Sequence, residues 1–369
     1  MGLLNTIIGK LPASKKNIDD INNRLDALSR QLDALQAEDA RLFSRIVQAD
    51  DGINNNVNFR SEWLDSRIDS QSARLETMLW EIYRGPDETT MQAKRRFFNS
   101  LPKATGGLRQ LQKGCAALLG EFHQLCQQNG LDYWVAFGTL LGAVRHEGFI
   151  PWDDDVDLGM TRSDILRLEQ LLEGSSDYRV SLIYDSWNFC KQVRFMRKDE
   201  TNPCFLDLFI FEEVDAPTPS TYRVQKELRR KMVQEFRTAP FFDEWRQIEF
   251  AKPSWHLSGE IERVFEKYRA LAVQEGCLSP SDGVGLVWGI ENYDNPDDPY
   301  QCEWICDKKE IFPLRQMPFE DIVCNAPNDL MKSLREVYGD IYRVPKDMTI
   351  HVPHVSYEQL QKLESESDS

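Results

Sequence analysis

The chain has 369 residues, 41% of them hydrophobic and 28% charged, and carries a formal net charge of −16. That balance is globular, large enough for one big domain or two ordinary ones, and it excludes a chain that is disordered throughout. The acidic surplus speaks against non-specific nucleic-acid binding, which needs a basic surface, but not against a phosphate-bearing small molecule, because a bound divalent cation inverts the local field.

At the start of the chain, Gly2 and Thr6 formally meet the N-myristoylation pattern. The charged lead and small-residue cleavage site of a secretory signal are missing, and a short amphipathic contact with a membrane or partner is the stronger expectation. No apolar run reaches the roughly 18 residues that suggest a membrane-spanning helix. Eight cysteines lack paired metal spacing, since Cys302 and Cys306 have no second pair; they read as free thiols in a reducing cytoplasm.

From Ile18, apolar residues recur at Ile21, Leu25, Leu28, Leu32, Leu35, Leu42 and Ile46, with Asp39 breaking the seam. That alternation of three and four is a coiled-coil seam. Gly52 and Asn54 to Asn56 are expected to interrupt it, and a second stripe at Leu64, Ile68, Leu75, Met78 and Ile82 follows out of phase. Residues 1–100 thus read as a helical arm that builds homo-oligomers, residues 101–355 as a catalytic domain and 356–369 as a frayed polar tail.

Within the second region the pattern predicts a helix over 108–129 and buried strands over 131–137 and 156–160. A helix capped by Ser163-Asp164 follows, then strands over 180–184, 190–197 and 205–211. Basic amphipathic helices over 222–238 and 258–275, a strand at 285–290, a small β element and a helix over 328–338 complete it. The expected class is α/β (α+β), a mixed sheet flanked by helices behind the arm.

The chemistry concentrates in residues 133–159, where Gly138-Thr139 closes an apolar run and four of the five residues from 153 to 157 are aspartates. Clustered carboxylates repel unless a cation or protons sit among them. Asp155 and Asp157, one residue apart, share a face if they lie on a strand. Asp207 is the only charge in the apolar strand FLDLFIF. Three such carboxylates on adjacent strands can bracket Mg²⁺, a hard cation that takes oxygen ligands. Gly138 and Thr139, opening a helix, offer N–H groups to a phosphate, and Arg145 offers a bidentate contact. A solvated acidic loop and a Ca²⁺ loop are the competing readings. The second fails because Leu158 and Asp164 stand where an EF-hand needs Gly and Glu.

The run GTLLGAVRHEGFIPWDDDVDLG resembles the signature of the LicD family, which includes fukutin-type proteins, within the polymerase-β-like nucleotidyltransferase superfamily. Phe137-Gly138-Thr139, Asp155-Val156-Asp157 and Asp207 meet the superfamily pattern, and IFPL, PFED and VYGDIY are similar to the family's C-terminal half. The resemblance covers about 108–345. It implies a nucleotidyltransferase-like fold and transfer of a phospho-substituent such as phosphocholine from a CDP-linked donor to a hydroxyl of a cell-surface or lipid-linked glycan. Asp155, Asp157 and Asp207 would hold the metal, Mg²⁺ or else Mn²⁺. Gly138 and Thr139 would cradle the donor phosphates, and Asp207 would orient or deprotonate the acceptor. The implied setting is the cytoplasm, with peripheral contact at the inner face of the membrane.

Arg194, Arg197 and Lys198 stand beside this region, and Arg194 is expected to meet a diphosphate. Trp134, Trp152, Trp187 and Trp288 read as core or as a cation–π cage. His146 reads as structural, His351 and His354 as loop, and the basic helix 223–237 as a solvated face or a membrane contact. The rivals are a coiled-coil scaffold with an inactive nucleotide-binding domain, and an enzyme that moves the NMP moiety itself.

Overall fold

A computed structural model describes residues 12–280, 282–295, 303–343 and 354–367. Gly2, Thr6, Cys302 and His351 therefore lie outside the described residues. The chain divides into two compact units between Ile82 and Tyr83.

The first unit is helix α1 (Pro12–Tyr83), 72 residues without a break. It runs straight through Gly52 and Asn54 to Asn56, against expectation. A glycine costs a helix only about 1 kcal/mol relative to alanine, and no proline interrupts the hydrogen-bond ladder. Leu35, Leu64, Ile68, Leu75 and Ile82 are exposed along it.

The second unit begins earlier than the pattern suggested. Helix α2 (Thr90–Asn99) opens with a capping box between Thr89 and Gln92 and buries Phe98 completely in the main core. Helix α3 (Gly106–Asn129) ends at Gly130 in the left-handed conformation, the usual role of glycine after a helix. Next come β1 (Trp134–Val135), shorter than expected, and helix α4 (Phe137–His146), which takes Gly138 into its first turn.

Strand β2 (Asp157–Thr161) leads into α5 (Arg162–Leu172), capped by the Thr161 hydroxyl rather than by Ser163. The hairpin β3 (Tyr178–Asp185) and β4 (Cys190–Arg197) precedes the long β5 (Phe205–Val214). Helices α6 (Pro219–Thr238), α7 (Phe242–Ile248) and α8 (Ser258–Gln274), with the short β6 (Phe250–Ala251), build a second apolar cluster around Phe236, Trp245 and Phe265. Strands β7 (Gly285–Trp288) and β8 (Ile305–Asp307), helix α9 (Lys308–Ile311), hairpin β9 (Arg315–Phe319) and β10 (Ile322–Ala326), and α10 (Leu330–Tyr338) follow.

The described residues form an eight-stranded sheet in the order β1-β2-β5-β4-β3-β6, with β7 on β5 and β8 on β7. Only β2 and β5 run parallel among these pairs. The free edge of β5 is divided: β4 pairs with it up to Asp207 and β7 takes over at Phe211. In the gap, the Asn292 side chain replaces a strand, accepting from the Ile210 N–H (3.2 Å) and donating to the Ile210 carbonyl (2.7 Å). A sheet whose neighbour strands part company opens a cleft there without leaving backbone groups unpaired.

The β9–β10 hairpin is tied to α3 and the segment before it by Glu320, which accepts from Arg109 and Lys103, each at 2.7 Å. Burial alone would raise the Glu320 carboxyl, but hydrogen bonds from Arg109 and Lys103 outweigh it and hold it down to about 2.

The expected frayed tail is instead ordered. Val355 is buried in the main core and α11 (Tyr357–Ser367) lays Leu360 and Leu363 against it. Three apolar anchors in a polar stretch suffice because α3 offers Gly107 opposite: a Cβ there would lie 2.0 Å from the Leu360 carbonyl oxygen. Gly107→Ala is therefore expected to push α11 off while the sheet stays folded, raising amide exchange in residues 357–367 by about tenfold or more. Unchanged protection, measured by hydrogen-exchange mass spectrometry, would show that the helix does not depend on this approach.

Candidate active site

Parallel pairing sets Asp157 of β2 directly beside Asp207 of β5, and antiparallel pairing sets Arg194 of β4 on the other side of Asp207. Cross-strand partners share a face of a sheet, so strand register alone brings an acid, an acid and a base into one row. Arg194 Nε donates to Asp207 Oδ1 at 2.8 Å and its guanidinium lies 4.0 Å from the Phe205 ring centroid. Asp155 falls just before β2 rather than on it, yet one oxygen from each of Asp155, Asp157 and Asp207 lies within 4.8 Å of the others.

The turn before the acidic run holds this geometry. The Asp157 N–H donates to Thr139 Oγ1 at 2.8 Å, the Ala136 N–H to the Asp157 carbonyl at 2.9 Å, and the Asp207 N–H to the Val156 carbonyl at 2.8 Å. Gln112 of α3 donates to the Asp153 carbonyl at 2.9 Å and fixes the loop from behind. A Cβ on Gly138 would sit 3.0 Å from Asp153 Oδ2 and 3.7 Å from Asp157 Oδ2. Glycine is what lets two carboxylates approach the first turn of α4, where the Gly138 N–H donates to the Asp157 carboxylate and the helix N-terminus favours negative charge.

Two of the expected phosphate-facing residues are placed otherwise. Thr139 is buried, and its hydroxyl braces the backbone of Asp157. Arg145 is also buried, donating to the Ile341 carbonyl (3.1 Å) and to His146 Nε2 (2.9 Å), with its guanidinium 4.5 Å from the Phe98 ring centroid. An arginine so engaged is buried against Phe98 and joined to the chain at Ile341, and does not present its fork to a phosphate. Burial lowers the Arg145 pKa to about 10, and burial with the neighbouring Arg145 charge lowers His146 to about 4.

The electrostatics of the cluster are those of a site built around a cation. Burial, then the charges of Asp155, Asp207 and Asp153, pushes the Asp157 carboxyl well above the usual carboxylate range. Burial with Asp155 and Asp154 raises Asp153 to about 8, and burial raises Asp207 against the pull of Arg194. Two like charges 4 Å apart repel by about 4 kcal/mol at an effective dielectric of 20. Arg194 offsets only part of the charge of the three clustered aspartates. An all-oxygen donor set with this surplus of negative charge fits a hard divalent cation.

His354 is the residue that pattern reading missed. Its N–H donates to Asp154 Oδ2 at 2.7 Å, and its Nδ1 lies 3.0 Å from Asp154 Oδ1 and 3.4 Å from Asp155 Oδ2. The hydrogen bond to Asp154 leads the effects that raise its pKa. With Asp154 and Asp155 it forms a second group whose ligand atoms lie within 4.8 Å of each other. The segment HVPH offered a hint only through its histidines; burial of the adjacent Val355 carries His354 to the acids.

In front of these carboxylates lies the cleft left by the parting of β4 and β7, about 240 Å³ in volume, walled by Asn188, Lys191, Arg194, Phe209, Asn292 and Tyr293. The four tryptophans do not converge. Trp187 is exposed with Arg246 stacked 3.3 Å from its centroid, Trp152 packs on the main core, and Trp134 and Trp288 both pack on Phe211. In the basic helix α6, Arg229 is buried and donates to the Ile290 and Asn188 carbonyls at 2.7 and 2.9 Å.

The sequence of this site recurs in known proteins. Residues 130–248 match the family described as LicD/FKTN/FKRP, nucleotidyltransferase domain. Over 265 residues the chain is 32% identical to the lipopolysaccharide cholinephosphotransferase LicD of Haemophilus influenzae, spanning 65% of this chain and 93% of that protein. The chain belongs to the LicD family. A shorter stretch of 106 residues is 34% identical to the human ribitol 5-phosphate transferase FKRP, covering 28% of this chain and 21% of that protein. In this LicD-family chain the matched segment contains Gly138, Thr139, the acidic run, Arg194 and Asp207, whereas His354 lies beyond it.

A raised carboxyl pKa makes the fold most stable below the unfolded value of about 3.9 and less stable as pH rises towards the folded value. Asp157→Asn removes that penalty. Without divalent ions the variant is expected to be more stable than the parent at pH 7 by at least about 1 kcal/mol, with the gap closing towards pH 4. Added Mg²⁺ should stabilise only the parent. Denaturant midpoints across pH, with and without Mg²⁺, check both signs.

Proposed function

We propose that the chain transfers a phosphate-bearing substituent from a CDP-linked donor to a glycan hydroxyl, in a metal-dependent reaction at Asp155, Asp157 and Asp207. The observation that carries this reading is the convergence of three carboxylates, from β2, the segment before it and β5, at the head of an open cleft. The names of the relatives support the class of reaction. One denotes a cholinephosphotransferase acting on lipopolysaccharide and the other a ribitol 5-phosphate transferase.

A bound Mg²⁺ would polarise the phosphoryl oxygens and offset charge in the transition state. The protein's own groups do the rest. Arg194 holds one Asp207 oxygen, while Thr139 and Gln112 keep Asp157 and the 153–156 loop in place. Other N–H groups of the first turn of α4 would donate to a donor phosphate oxygen, the Gly138 N–H being given to Asp157. The acceptor oxygen attacks the phosphorus that bears the substituent and the bond to the CMP phosphate breaks. CMP leaves, and the Asp207 carboxylate at the head of the cleft would take the hydroxyl proton. Catalysis of this kind is mainly positioning and charge stabilisation.

Mass spectrometry of the products from CDP-linked donors with Mg²⁺ and a glycan acceptor tests this. The proposal predicts CMP and a phospho-substituted glycan, with activity in Asp155→Ala down by about 10³-fold or more. Release of the headgroup phosphate with CMP on the acceptor would establish NMP transfer instead, and full activity in Asp155→Ala would remove the metal assignment.

For α1 we propose self-association in a coiled coil, supported by its exposed apolar stripe. Light scattering should give a multiple of the monomer mass for the full chain and a smaller assembly for a chain starting at Tyr83.

A further inference from the structure

Asp154 stands outside the group formed by Asp155, Asp157 and Asp207, yet it is buried at the same turn, with 4% of its surface exposed. A carboxylate withdrawn from water is costly unless opposite charge meets it. His354 comes to it from the far end of the chain, carried by the burial of Val355 and the docking of α11. The His354 backbone N–H donates to Asp154 Oδ2 at 2.7 Å. The other carboxylate oxygen, Oδ1, lies 3.0 Å from the imidazole Nδ1, and Nδ1 lies 3.4 Å from Asp155 Oδ2. The Phe205 ring packs against the imidazole with centroids 6.2 Å apart.

Two features separate this arrangement from an ordinary ion pair. The first is the number of acceptors around one nitrogen. Nδ1 carries at most one proton, and a proton given to Asp154 leaves the Asp155 oxygen beyond the usual N–H···O length. A metal ion in place of that proton bonds all three atoms. Its bonds to nitrogen and oxygen are about 2.0–2.2 Å, which sets neighbouring donors roughly 3.0 Å apart at right angles and roughly 3.4 Å apart at tetrahedral angles. The two spacings at His354 match these. The second feature is that Asp155 belongs to both groups of convergent ligand atoms, so one carboxylate is placed to serve two ions.

Ligand chemistry decides which ion. Carboxylate and water oxygens suit Mg²⁺, whereas imidazole suits zinc, iron and their first-row neighbours. The first group is all oxygen; the second is two oxygens and a nitrogen. Three protein ligands leave a coordination position open, as catalytic metal sites do, and Asp155 and His354 both wall the cleft. We propose that Asp154, Asp155 and His354 form a second metal site, which takes a first-row transition dication such as Zn²⁺, Co²⁺ or Mn²⁺ in preference to Mg²⁺. The site stands on its own ligands and does not rest on the phosphotransfer reading. Because only Val355 and Ser356 separate His354 from α11, an ion bound there also favours the docked C-terminal segment.

The full chain, stripped of metal, is titrated with Co²⁺ by calorimetry and visible absorption in a large excess of Mg²⁺, which fills the all-oxygen group. One Co²⁺ should bind, with the bands of a nitrogen- and oxygen-ligated ion and without the sulfur charge-transfer of a cysteine site. His354→Ala and Asp154→Asn should each weaken that binding by about 10²-fold, the upper end of what loss of an outer-shell partner costs. Asp154→Asn leaves the C-terminal segment itself unaltered, so loss in both variants is not explained by an undocked tail. Asp157→Asn, which alters the first group alone, should keep the Co²⁺. Hydrogen exchange in residues 357–367 of the parent should slow when Co²⁺ is added. Co²⁺ that Mg²⁺ displaces, or that binds His354→Ala and Asp154→Asn as tightly as the parent, overturns the site. Loss in Asp157→Asn as well overturns it as a separate site. In each case Mg²⁺-dependent CMP release tests the Asp155, Asp157 and Asp207 reading independently.

Discussion

The parallel pairing of β2 with β5 puts Asp157 against Asp207, and much of the domain can be understood as the means of holding these two like charges together. Left alone they would drive the strands apart or slide the register by a residue, and a one-residue slip would turn every side chain of β2 to the opposite face. The register is held from the apolar side. Leu158 and Met160, and Leu206, Leu208 and Ile210, point into the main core, where each is nearly or wholly inaccessible. Full burial of a side chain of this kind contributes about 1.5–3 kcal/mol, so the set outweighs a repulsion of about 4 kcal/mol. The core makes the repulsion tolerable, and the repulsion makes the site receptive to a cation.

Around that pair the scaffold supplies fixed polar contacts rather than mobile ones. Thr139 braces the backbone of Asp157, Gln112 braces the loop through Asp153, and Arg194 braces Asp207. Arg145 works one layer deeper, joining α4 to the chain at Ile341. The divided edge of β5 gives the carboxylates their access: β4 leaves, Asn292 fills the backbone gap and β7 enters. Behind the sheet, Arg162 bonds both Glu212 and Glu291, and Arg269 bonds Glu212. Burial would raise Glu291, yet Arg162 and Lys191 hold it down to about 2. This paired set lies behind the cleft and does not compete with it for a cation.

Much of the layout was legible in the sequence. Alternation in FLDLFIF marked β5 and singled out Asp207, and the heptad repeat marked α1 as helix. The basic amphipathic stretches became α6 and α8 nearly within their expected bounds. The misses share a cause. Gly52 and the asparagines do not break α1, because propensity penalties are small beside a long uninterrupted ladder. The tail reads as polar in sequence, because three apolar anchors are invisible without the surface that receives them. Residue type alone points Thr139 and Arg145 to phosphate, but which way a side chain turns depends on what packs beside it.

Composition and periodicity by themselves determined the residues able to carry the chemistry: a Gly-Thr corner, an acidic run and a lone strand aspartate. Those properties are local, set by side-chain chemistry and by the repeat of two or three to four residues along the backbone. Only the tertiary structure decided that Asp157 lies opposite Asp207, that His354 comes back to Asp154, and that Phe137, Trp288 and Trp304 stack beside them. Such pairings join positions up to 200 residues apart. They follow from which apolar faces bury one another, a property of the whole packed core that no single stretch of the chain contains.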